Sequence, residues 1–239
     1  MTAYFEKNEI DRSMHQYYEQ RAEEYDEWYN RVGRYNDPRT NAAWHAQVAE
    51  LGREAARFGG MLNRYPGMQA LDLCCGTGKW TPFFARSLSD SGRVVAYDYS
   101  PAMLGQTQAR LEEEDPALLE KILFTRGDAY LLPFASQTFD MVFFGFWLSH
   151  VPHKRVTPFF NEIKRVLKPG GIVLIFDSAM RSGVPREEIA HRSLNDGSVH
   201  DVLKINYTPP ELKNLLGQVF PVSDARQTYD FFLIGQASK

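Results

Sequence analysis

The chain is poor in cysteine, and its two cysteines, Cys74 and Cys75, are neighbours among its 239 residues. Adjacent cysteines rarely meet the geometry of a disulfide, and no Cys-x-x-Cys pair or Cys/His cluster has the spacing of a zinc site. We therefore expect neither a disulfide framework nor a bound metal ion. A reducing cytoplasm is the expected compartment.

Long apolar runs and a surplus of basic residues are also lacking. The longest apolar stretch, Met141 to Leu148, is much shorter than the roughly 20 residues of a membrane-spanning helix. The N-terminal sequence MTAYFEKNEIDR has no apolar core of the kind that secretory signals carry. Lysine and arginine total 27 against 30 acidic residues, which gives a net charge of −3. We therefore expect no membrane span, no secretory signal and no nucleic-acid substrate.

From Gln69 onward, short apolar runs alternate with amphipathic stretches, which is typical of β-α-β units and a parallel sheet. The apolar runs predict strands buried on both faces, and they are Ala70–Cys74, Arg93–Tyr97, Ile122–Thr125, Met141–Trp147 and Gly171–Phe176. The helices predicted between them are Trp80–Leu88, Pro101–Glu113 and Pro158–Leu167. The predicted fold class is therefore α/β, with a doubly wound and mostly parallel sheet.

The segments outside this alternating pattern have other characters. Residues 1–66 are helix-like and rich in aromatic side chains, and we predict a helical lid or cap in front of a domain of residues 67–239. Within that domain, the polar stretch 181–206 contains two glycines and a proline and predicts an irregular insertion on the substrate side. Thr208-Pro-Pro-Glu211 predicts a capped helix, and Tyr229–Gly235 predicts a last strand.

The segment LDLCCGTGKW, residues 71–80, is the most informative part of the chain. An apolar strand ends in Asp72, and Gly76 and Gly78 then occupy the turn into a helix. Glycines allow the backbone to turn tightly and to approach a ligand closely. In dinucleotide-binding proteins a third glycine follows three residues later, whereas this chain has Thr81 there. The dinucleotide fingerprint is incomplete, and a nicotinamide-dependent oxidoreductase stays as an alternative.

Acidic residues end two further predicted strands. Asp98 ends the second strand, and Asp128 follows the third. A carboxylate about 20 residues after the glycine turn can accept hydrogen bonds from both hydroxyls of an adenosine ribose. Each acid taken alone can also be a helix cap or turn residue. Because the carboxyl ends of parallel strands share one edge of a sheet, Asp72, Asp98 and Asp128 are predicted to converge on one crevice.

Four ordered motifs within residues 69–178 carry a specific resemblance, and they are LDLCCGTG, YDYSPAML, RGDAYLLPFASQTFDMVFFGF and EIKRVLKPGGIVLIF. This region resembles the class I S-adenosylmethionine-dependent methyltransferases. Within that superfamily it is similar to the small-molecule branch that includes the ubiquinone and menaquinone biosynthesis methyltransferases. The resemblance implies a Rossmann-like sheet of seven strands whose last strand runs antiparallel. It also implies S-adenosylmethionine as methyl donor.

The resemblance implies a role for each matching residue. The loop beneath the methionine and ribose portions of the donor would be formed by Asp72, Cys74, Gly76 and Gly78. The ribose and adenine would meet Asp98, Tyr99, Met103, Asp128 and Ala129, and the methionine end would meet Phe144 and Gly145. The family usually has glycine at the position of Cys74, which is tolerable if Cys74 keeps ordinary β geometry.

The aromatic N-terminal stretch QYYEQRAEEYDEWYNR is a candidate wall for a sulfonium group. Aromatic faces attract cations without acting as nucleophiles. Related methyltransferases often carry a tyrosine-bearing N-terminal helix that closes over the donor, and Tyr25 is the best match for that tyrosine. Arg21 is a candidate partner for the methionine carboxylate. The alternative is a helix that packs its aromatic side chains on the sheet.

Two histidines in the segment WLSHVPHKR follow the fourth predicted strand, where the methyl group would lie. A histidine with a pKa near neutrality can take a proton from an acceptor as the methyl group arrives. His150 is the preferred candidate for this general base, because it lies closer to the strand end than His153 does. Capping or packing is the alternative role for both.

The leading functional hypothesis is transfer of a methyl group from S-adenosylmethionine to oxygen, nitrogen or carbon of a small metabolite. A nicotinamide-dependent oxidoreductase and a non-catalytic partner protein that binds S-adenosylmethionine are the alternatives from other classes. The least patterned segments, the N-terminal helices and residues 181–206, are expected to form the acceptor pocket. The sequence assigns no oligomeric state.

Overall fold

The computed structural model describes residues 9–239, so the first eight residues of the predicted cap lie outside the described part. Its main sheet has seven strands in the order β3-β2-β1-β4-β5-β9-β8. Strands β1 to β5 pair in parallel, and β9 runs antiparallel to both β5 and β8. The predicted doubly wound sheet with an antiparallel last strand is confirmed. The nine strands are β1 (Gln69–Leu73), β2 (Arg93–Asp98), β3 (Ile122–Arg126), β4 (Phe139–Gly145), β5 (Leu167–Ser178), β6 (Glu187–Ser193), β7 (Val199–Ile205), β8 (Val222–Gln227) and β9 (Phe232–Ser238).

Helices cover both faces of the sheet and build the N-terminal segment. The α-helices are α1 (Glu9–Arg21), α2 (Glu27–Asn30), α3 (Asn41–Met61), α4 (Thr81–Ser87), α5 (Pro101–Glu114), α6 (His153–Val166) and α7 (Pro209–Gly217). The capping box predicted at Thr208 and Glu211 is present at the start of α7. Helix α6 begins five residues before the predicted start and holds Pro158 in its interior.

The strands separate two apolar clusters, one on each face of the sheet. Leu71 and Leu73 of β1 belong to one cluster, whereas Ala70 belongs to the other. This alternation within continuously apolar strands explains why they show no polar face in the sequence. Helix α3, within the predicted cap, contributes Leu51 and Phe58 to the second cluster and packs as part of the core.

The stretch 181–206, predicted to be irregular, contains the antiparallel hairpin of β6 and β7 instead. Its turn includes Gly197, whose φ of +87° suits a residue without a Cβ. Strand β6 escaped prediction because only Ala190 is buried in it, so its sequence lacks an alternating apolar pattern. The hairpin packs beside helix α1, where the Asp201 amide donates to Ser13 Oγ at 2.8 Å.

The C-terminal strands also differ from expectation. Strand β9 spans Phe232–Ser238, three residues later than predicted, and the edge strand β8 was not predicted. In β8 the residues alternate between exposed and partly buried, and its side chains include Asp224 and Arg226. An exposed edge strand of this kind does not differ in composition from a loop.

Candidate active site

A cavity of about 780 Å³ opens at the carboxyl ends of β1, β2 and β4, under helix α1. That volume lies within the roughly 300–1,000 Å³ typical of small-molecule sites. Its walls come from the strand ends, from the start of α5 and from the N-terminal segment. The lining residues are Asp11, Met14, His15, Tyr18, Tyr25, Cys74, Gly76, Asp98, Tyr99, Ser100, Met103, Gly127, Asp128, Ala129, Tyr130, Leu131, Gly145, Phe146, Trp147 and Arg155.

The glycine turn forms one wall of this cavity. Gly76 and Gly78 have φ values of +58° and +72°, which L side chains rarely adopt. A Cβ on Gly78 would lie 2.6 Å from Thr107 Cγ2, so helix α5 packs against this turn at glycine distance. No atom lies within 4 Å of a Cβ built on Gly76. The turn thus presents bare backbone to the cavity at Gly76 and to helix α5 at Gly78.

Asp98 holds the glycine turn and the start of α5 together. Its Oδ2 accepts from the Gly76 amide at 3.0 Å, and its Oδ1 accepts from the Ser100 amide at 2.9 Å. Burial raises the pKa of Asp98, although the hydrogen bonds from Ser100 and Gly76 oppose that rise. The carboxylate is therefore orientated before any ligand arrives, with both oxygens at the cavity wall.

Asp72 lies below the turn, 1% exposed, and its Oδ2 accepts from Thr81 Oγ1 at 2.6 Å. Burial, with a smaller contribution from the charge of Asp98, raises the pKa of Asp72 to about 7. Asp72 lines a small recess beside the main cavity, together with Lys79 and Trp80. Thr81, which replaces the third glycine of the dinucleotide pattern, therefore serves as the hydrogen-bond donor to Asp72.

Cys74 lines the cavity in the left-handed conformation, with φ of +57°. Ordinary β geometry, the condition under which a cysteine would be tolerable there, is therefore not met. A left-handed residue other than glycine costs roughly 1–2 kcal/mol, so the family's usual glycine would fit this position with less strain. Burial raises the pKa of the Cys74 thiol well above its ordinary value. The side chain at the cavity wall is therefore a neutral thiol.

The N-terminal segment closes the cavity from above. Tyr18 and Tyr25 both line it. Between the cap and the glycine turn, Thr77 Oγ1 donates to Asp26 Oδ1 at 2.7 Å, and Arg110 pairs with the other oxygen of Asp26. Arg110 Nε also donates to the Thr77 carbonyl at 2.8 Å. The segment is thus attached directly to the loop beneath it.

Arg21 does not line the cavity. Its guanidinium carbon lies 4.6 Å from the centre of the Tyr25 ring, and Nη2 donates to Tyr35 Oη at 3.1 Å. The side chain is buried among aromatic rings, behind the tyrosine that faces the cavity. In this arrangement Arg21 supports Tyr25, and its predicted contact with a methionine carboxylate would require a change of rotamer.

Neither predicted catalytic histidine lines the cavity. His150 is 7% exposed and lies behind Tyr18, whose Oη is 2.8 Å from His150 Nε2. Burial, and next the charge of Lys204, lower the pKa of His150 to about 3. His153 is exposed at the start of α6, where Nε2 lies 3.1 Å from Glu187 Oε2. Neither ring is therefore placed to contact an acceptor bound in the cavity.

The structure brings most of the predicted donor residues together and leaves a few apart. Those on the cavity wall are Tyr25, Cys74, Gly76, Asp98, Tyr99, Met103, Asp128, Ala129 and Gly145. Phe144 is fully buried and packs against Phe159, because successive residues of a strand point to opposite faces. Gly78 supports the turn from below without reaching the wall.

Helix α1 supplies one side of the cavity, where we expected the N-terminal helices without identifying which residues of α1 face the site. Asp11, Met14, His15 and Tyr18 line it and recur at helical spacing of three and four residues. The His15 ring stacks on Tyr99, with centroids 3.8 Å apart. This spacing was visible in the sequence and could have identified the face of α1 that points toward the strand ends.

Residues 9–239 contain neither a candidate metal site nor a candidate membrane span. No group of three or more histidine, cysteine, aspartate or glutamate side chains within this range has an arrangement that could hold a metal ion. None of the helices in the same range is long and apolar enough to cross a membrane.

Comparison with known proteins adds sequence and structural likeness. A family model described as a methyltransferase domain matches residues 70–171. Over 113 residues, which are 47% of its length, this chain is 40% identical to a demethylmenaquinone methyltransferase of Staphylococcus aureus (strain MRSA252). The match covers 44% of that protein. A demethylmenaquinone methyltransferase of Lactococcus lactis subsp. lactis (strain IL1403) is 41% identical over the same share of this chain and is covered to 43%. The matched region thus spans less than half the length of these curated relatives.

Solved structures are similar over nearly the whole chain. A DhpI–SAH complex superposes with a TM-score of 0.71 and 26% identity, and the match covers 95% of each chain. A DhpI–SAM–HEP complex gives a TM-score of 0.70 and 25% identity, with 96% of this chain and 98% of the other covered. The strand order, the glycine turn and these likenesses agree. Residues 70–171 therefore match a methyltransferase domain, and the fold of the chain is similar to that of class I S-adenosylmethionine-dependent methyltransferases.

Proposed function

We propose that this protein transfers the methyl group of S-adenosylmethionine to oxygen, nitrogen or carbon of a small-molecule acceptor in the cytoplasm. The observation that carries the proposal is a single cavity in which bare glycine backbone and the acids Asp98 and Asp128 meet aromatic side chains of the cap. Its volume of about 780 Å³ is in the upper part of the range for small-molecule sites. There is accordingly room for an acceptor beside the donor.

The adenosine half of the donor fits the wall formed by β2 and the start of α5. Asp98, fixed by two backbone amides, has the chemistry to accept hydrogen bonds from the ribose hydroxyls. Asp128 Oδ1 accepts from the Tyr130 amide at 3.0 Å, which orients the carboxylate as a partner for the adenine amino group. Tyr99 and Met103 supply the apolar surface on which adenine would pack.

The methionine half fits the wall formed by β1, the glycine turn and the end of β4. Gly145 lines both the cavity and the recess that contains Asp72. An ammonium group in that recess would have a carboxylate partner in Asp72. Tyr18 and Tyr25 line the cavity near this wall, and their ring faces attract a sulfonium cation.

Methyl transfer is an in-line displacement in which bound S-adenosylmethionine supplies an electrophilic methyl group. The contribution of the protein is therefore alignment of the two reactants and exclusion of water. The cap serves both purposes here, because its attachment at Asp26 holds Tyr18 and Tyr25 over the strand ends. The positive charge on the donor disappears during the reaction, and an aromatic wall suits both charge states.

The acceptor side is walled by helix α1 and by residues after β4. Trp147, Tyr130 and Met14 give it an apolar character, and the pair of Arg155 and Asp11, 3.1 Å apart, adds a buried polar element. These walls favour a planar or apolar acceptor that carries a polar group. Demethylmenaquinone, the acceptor in the names of the relatives, is not carried over, because the matched region spans less than half of those proteins and leaves out Asp11 and Met14 of helix α1.

The alternatives fit less well. In dinucleotide-binding proteins the third glycine allows the helix to pack closely on the strand, whereas this chain has Thr81 there, with its hydroxyl engaged with Asp72. A non-catalytic partner that only binds the donor would have no need of the free volume beside the donor wall. A nucleic-acid acceptor is disfavoured by the net charge of −3.

Transfer of label from methyl-labelled S-adenosylmethionine into the low-molecular-weight fraction of a metabolite extract tests the proposal. The wild-type protein should label a small molecule, and Asp98→Ala should lose most of this transfer. Asp90→Ala is the matched control, because Asp90 is a fully exposed acid between α4 and β2, away from the cavity. Donor binding without transfer into any fraction would favour the non-catalytic alternative, and absence of donor binding would contradict the proposal.

A further inference from the structure

Tyr18, His150 and Leu203 form a hydrogen-bonded chain that starts at the cavity wall. Tyr18 lines the cavity, and its Oη lies 2.8 Å from His150 Nε2. On the other side of the ring, Nδ1 lies 2.6 Å from the carbonyl oxygen of Leu203 in β7. A carbonyl oxygen only accepts, so Nδ1 carries the hydrogen. His150 Nε2 is therefore the acceptor, and the Tyr18 hydroxyl donates to it.

This arrangement determines what Tyr18 can do toward a ligand. Its single proton is directed away from the cavity, toward His150, so the remaining lone pairs of Oη are available to accept a proton. Burial raises the pKa of Tyr18 well above its ordinary value, so the isolated phenolate is disfavoured. Tyr18 can accept a proton only if it passes its own proton on in the same step.

We propose that Tyr18 and His150 form a proton relay, and that the methyl acceptor is a hydroxyl group. The inference rests on the proposed methyltransferase function. As the methyl carbon leaves sulfur, the electron pair of that bond stays on sulfur, and a lone pair of the acceptor oxygen forms the new bond to carbon. The hydroxyl proton moves to Tyr18 Oη, and the proton of Tyr18 moves to His150 Nε2. After the product leaves, the proton returns through Tyr18 to solvent.

The charge balance of the site favours this step at the moment of transfer. In the resting protein, burial and Lys204 oppose a charge on His150, which stays neutral and ready to accept. During transfer the sulfonium charge disappears as the imidazolium charge forms, so the total charge of the buried site does not change. The relay therefore avoids building an additional charge in an apolar environment.

The acidity of the methylated acceptor relative to the imidazolium determines the class of acceptor. A methylated hydroxyl that still holds its proton is an oxonium, which is far more acidic than an imidazolium and gives its proton even to a weakly basic histidine. A methylated amine is an ammonium, which is much less acidic than an imidazolium and would retain its proton. A weakly basic histidine behind a tyrosine is therefore suited to an alcohol or a phenol.

Single-turnover rates with methyl-labelled S-adenosylmethionine and the extract fraction that the wild type labels test the relay. Tyr18→Phe removes the hydroxyl. His150→Asn keeps a donor toward Leu203 but offers Tyr18 no proton acceptor. His150→Gln offers Tyr18 an amide oxygen that cannot take up a proton. Tyr17→Phe is the matched control, because it removes a neighbouring hydroxyl on the same helix from a buried ring that does not line the cavity.

We expect the Tyr18 and His150 variants to transfer methyl roughly 10²–10⁴-fold more slowly, which is the usual contribution of general acid–base catalysis. Their donor affinity should stay within about twofold of wild type, which also shows that they fold. The double variant Tyr18→Phe/His150→Asn should be no slower than the slower single variant, because residues that act as a unit lose their function together. Tyr17→Phe should keep the wild-type rate, and the label should be on oxygen.

Other outcomes overturn the relay. Wild-type transfer by Tyr18→Phe would exclude the tyrosine as a proton acceptor. A wild-type rate for His150→Gln would mean that the histidine only positions Tyr18. Label on nitrogen would exclude the hydroxyl acceptor. If the wild-type protein itself fails to transfer label, the proposed function is contradicted. If the wild type transfers label and the variants transfer it equally well, only the relay is contradicted.

Discussion

Asp26 in the cap and Thr77 in the glycine turn are joined by a hydrogen bond of 2.7 Å across 51 residues of sequence. Arg110 of α5 completes this contact, since it pairs with Asp26 and donates to the Thr77 carbonyl. The loop beneath the donor site and the segment above it are thereby connected through one carboxylate. Opening of the cap requires that this contact break.

Asp26→Ala should accelerate donor dissociation, because the cap loses its attachment to the turn. A hydrogen bond to a charged group contributes about 1.5–3 kcal/mol, which corresponds to a dissociation rate roughly tenfold or more above wild type. Stopped-flow displacement of S-adenosylhomocysteine gives this rate directly. Glu23→Ala is the control, because Glu23 is an exposed acid three residues earlier in the cap. Equal dissociation rates for wild type and Asp26→Ala would show that the cap does not gate the site.

The raised pKa of Asp72 predicts an unusual pH dependence of the free energy of unfolding of the donor-free protein. Burial raises its pKa from 3.8 to about 7, so between these values the folded state holds a proton that the unfolded chain has released. The free energy of unfolding should therefore fall as the pH rises from about 4 to 7, by up to about 4 kcal/mol at 1.36 kcal/mol for each pKa unit. Asp72→Asn keeps an acceptor for Thr81 and has no charge to bury. In the Asp72→Asn variant the free energy of unfolding should therefore not show this fall with pH, and the variant should melt at a higher temperature than wild type at pH 7.5.

Thermal melts across this pH range, with and without S-adenosylmethionine, check the prediction. Asp90→Asn, a change at an exposed carboxylate, should leave the slope as it is in the wild type. The donor should stabilise Asp72→Asn less than wild type if Asp72 pairs with the donor ammonium. A wild-type slope in Asp72→Asn would assign the pH dependence to another group.

Two glycines allow a matched comparison in the turn and in the adjoining helix. Gly78→Ala places a Cβ 2.6 Å from Thr107 Cγ2 at a φ of +72°. The steric overlap and the backbone strain should lower the stability by roughly 2 kcal/mol or more, and they should also lower donor affinity. Gly105→Ala, at an exposed position of α5 with no atom within 4 Å of its Cβ, should instead stabilise by up to about 1 kcal/mol. Urea unfolding and donor titration of both variants distinguish them, and equal stabilities would contradict the geometry of the turn.

The parts of the site that the sequence predicted are those determined locally. Asp98 and Asp128 end predicted strands, and parallel strands bring such ends to one edge whatever the rest of the chain does. Strand β2 was predicted to within one residue because its interior is continuously apolar. Strand β6 was missed because only Ala190 is buried in it, and the strand depends on its pairing with β7 rather than on an apolar pattern of its own.

The histidines show why the acceptor side could not be predicted in the same way. His150 follows soon after β4, whose last residue lines the cavity. Its two hydrogen-bond partners, however, lie 132 residues before it and 53 residues after it. No local pattern indicates that a carbonyl in β7 determines the tautomer of a ring after β4. Tyr18 faces the cavity because α1 packs against β7, and that packing is tertiary.

Gln47 joins helix α3 to the turn between β8 and β9, and substitutions there measure how much this attachment contributes to stability. Its Oε1, in a side chain that is nearly fully buried, accepts from the amides of Asp230 and Phe231 at 2.9 Å each and from Thr228 Oγ1. Gln47→Leu would leave these donors without an acceptor, and a buried donor without a partner costs about 1–3 kcal/mol. We expect a loss of about 2–5 kcal/mol in the free energy of unfolding, measured by urea denaturation.

Gln47→Glu separates the acceptor oxygen from the shape of the side chain. A carboxylate at this position can accept from the same donors, so Gln47→Glu should retain more stability than Gln47→Leu, even though a buried charge carries its own cost. Donor affinity should change little in either variant, because α3 does not line the cavity. If Gln47→Leu unfolds at the same urea concentration as wild type, the turn finds water as a substitute, and Gln47 does not contribute to the attachment of α3.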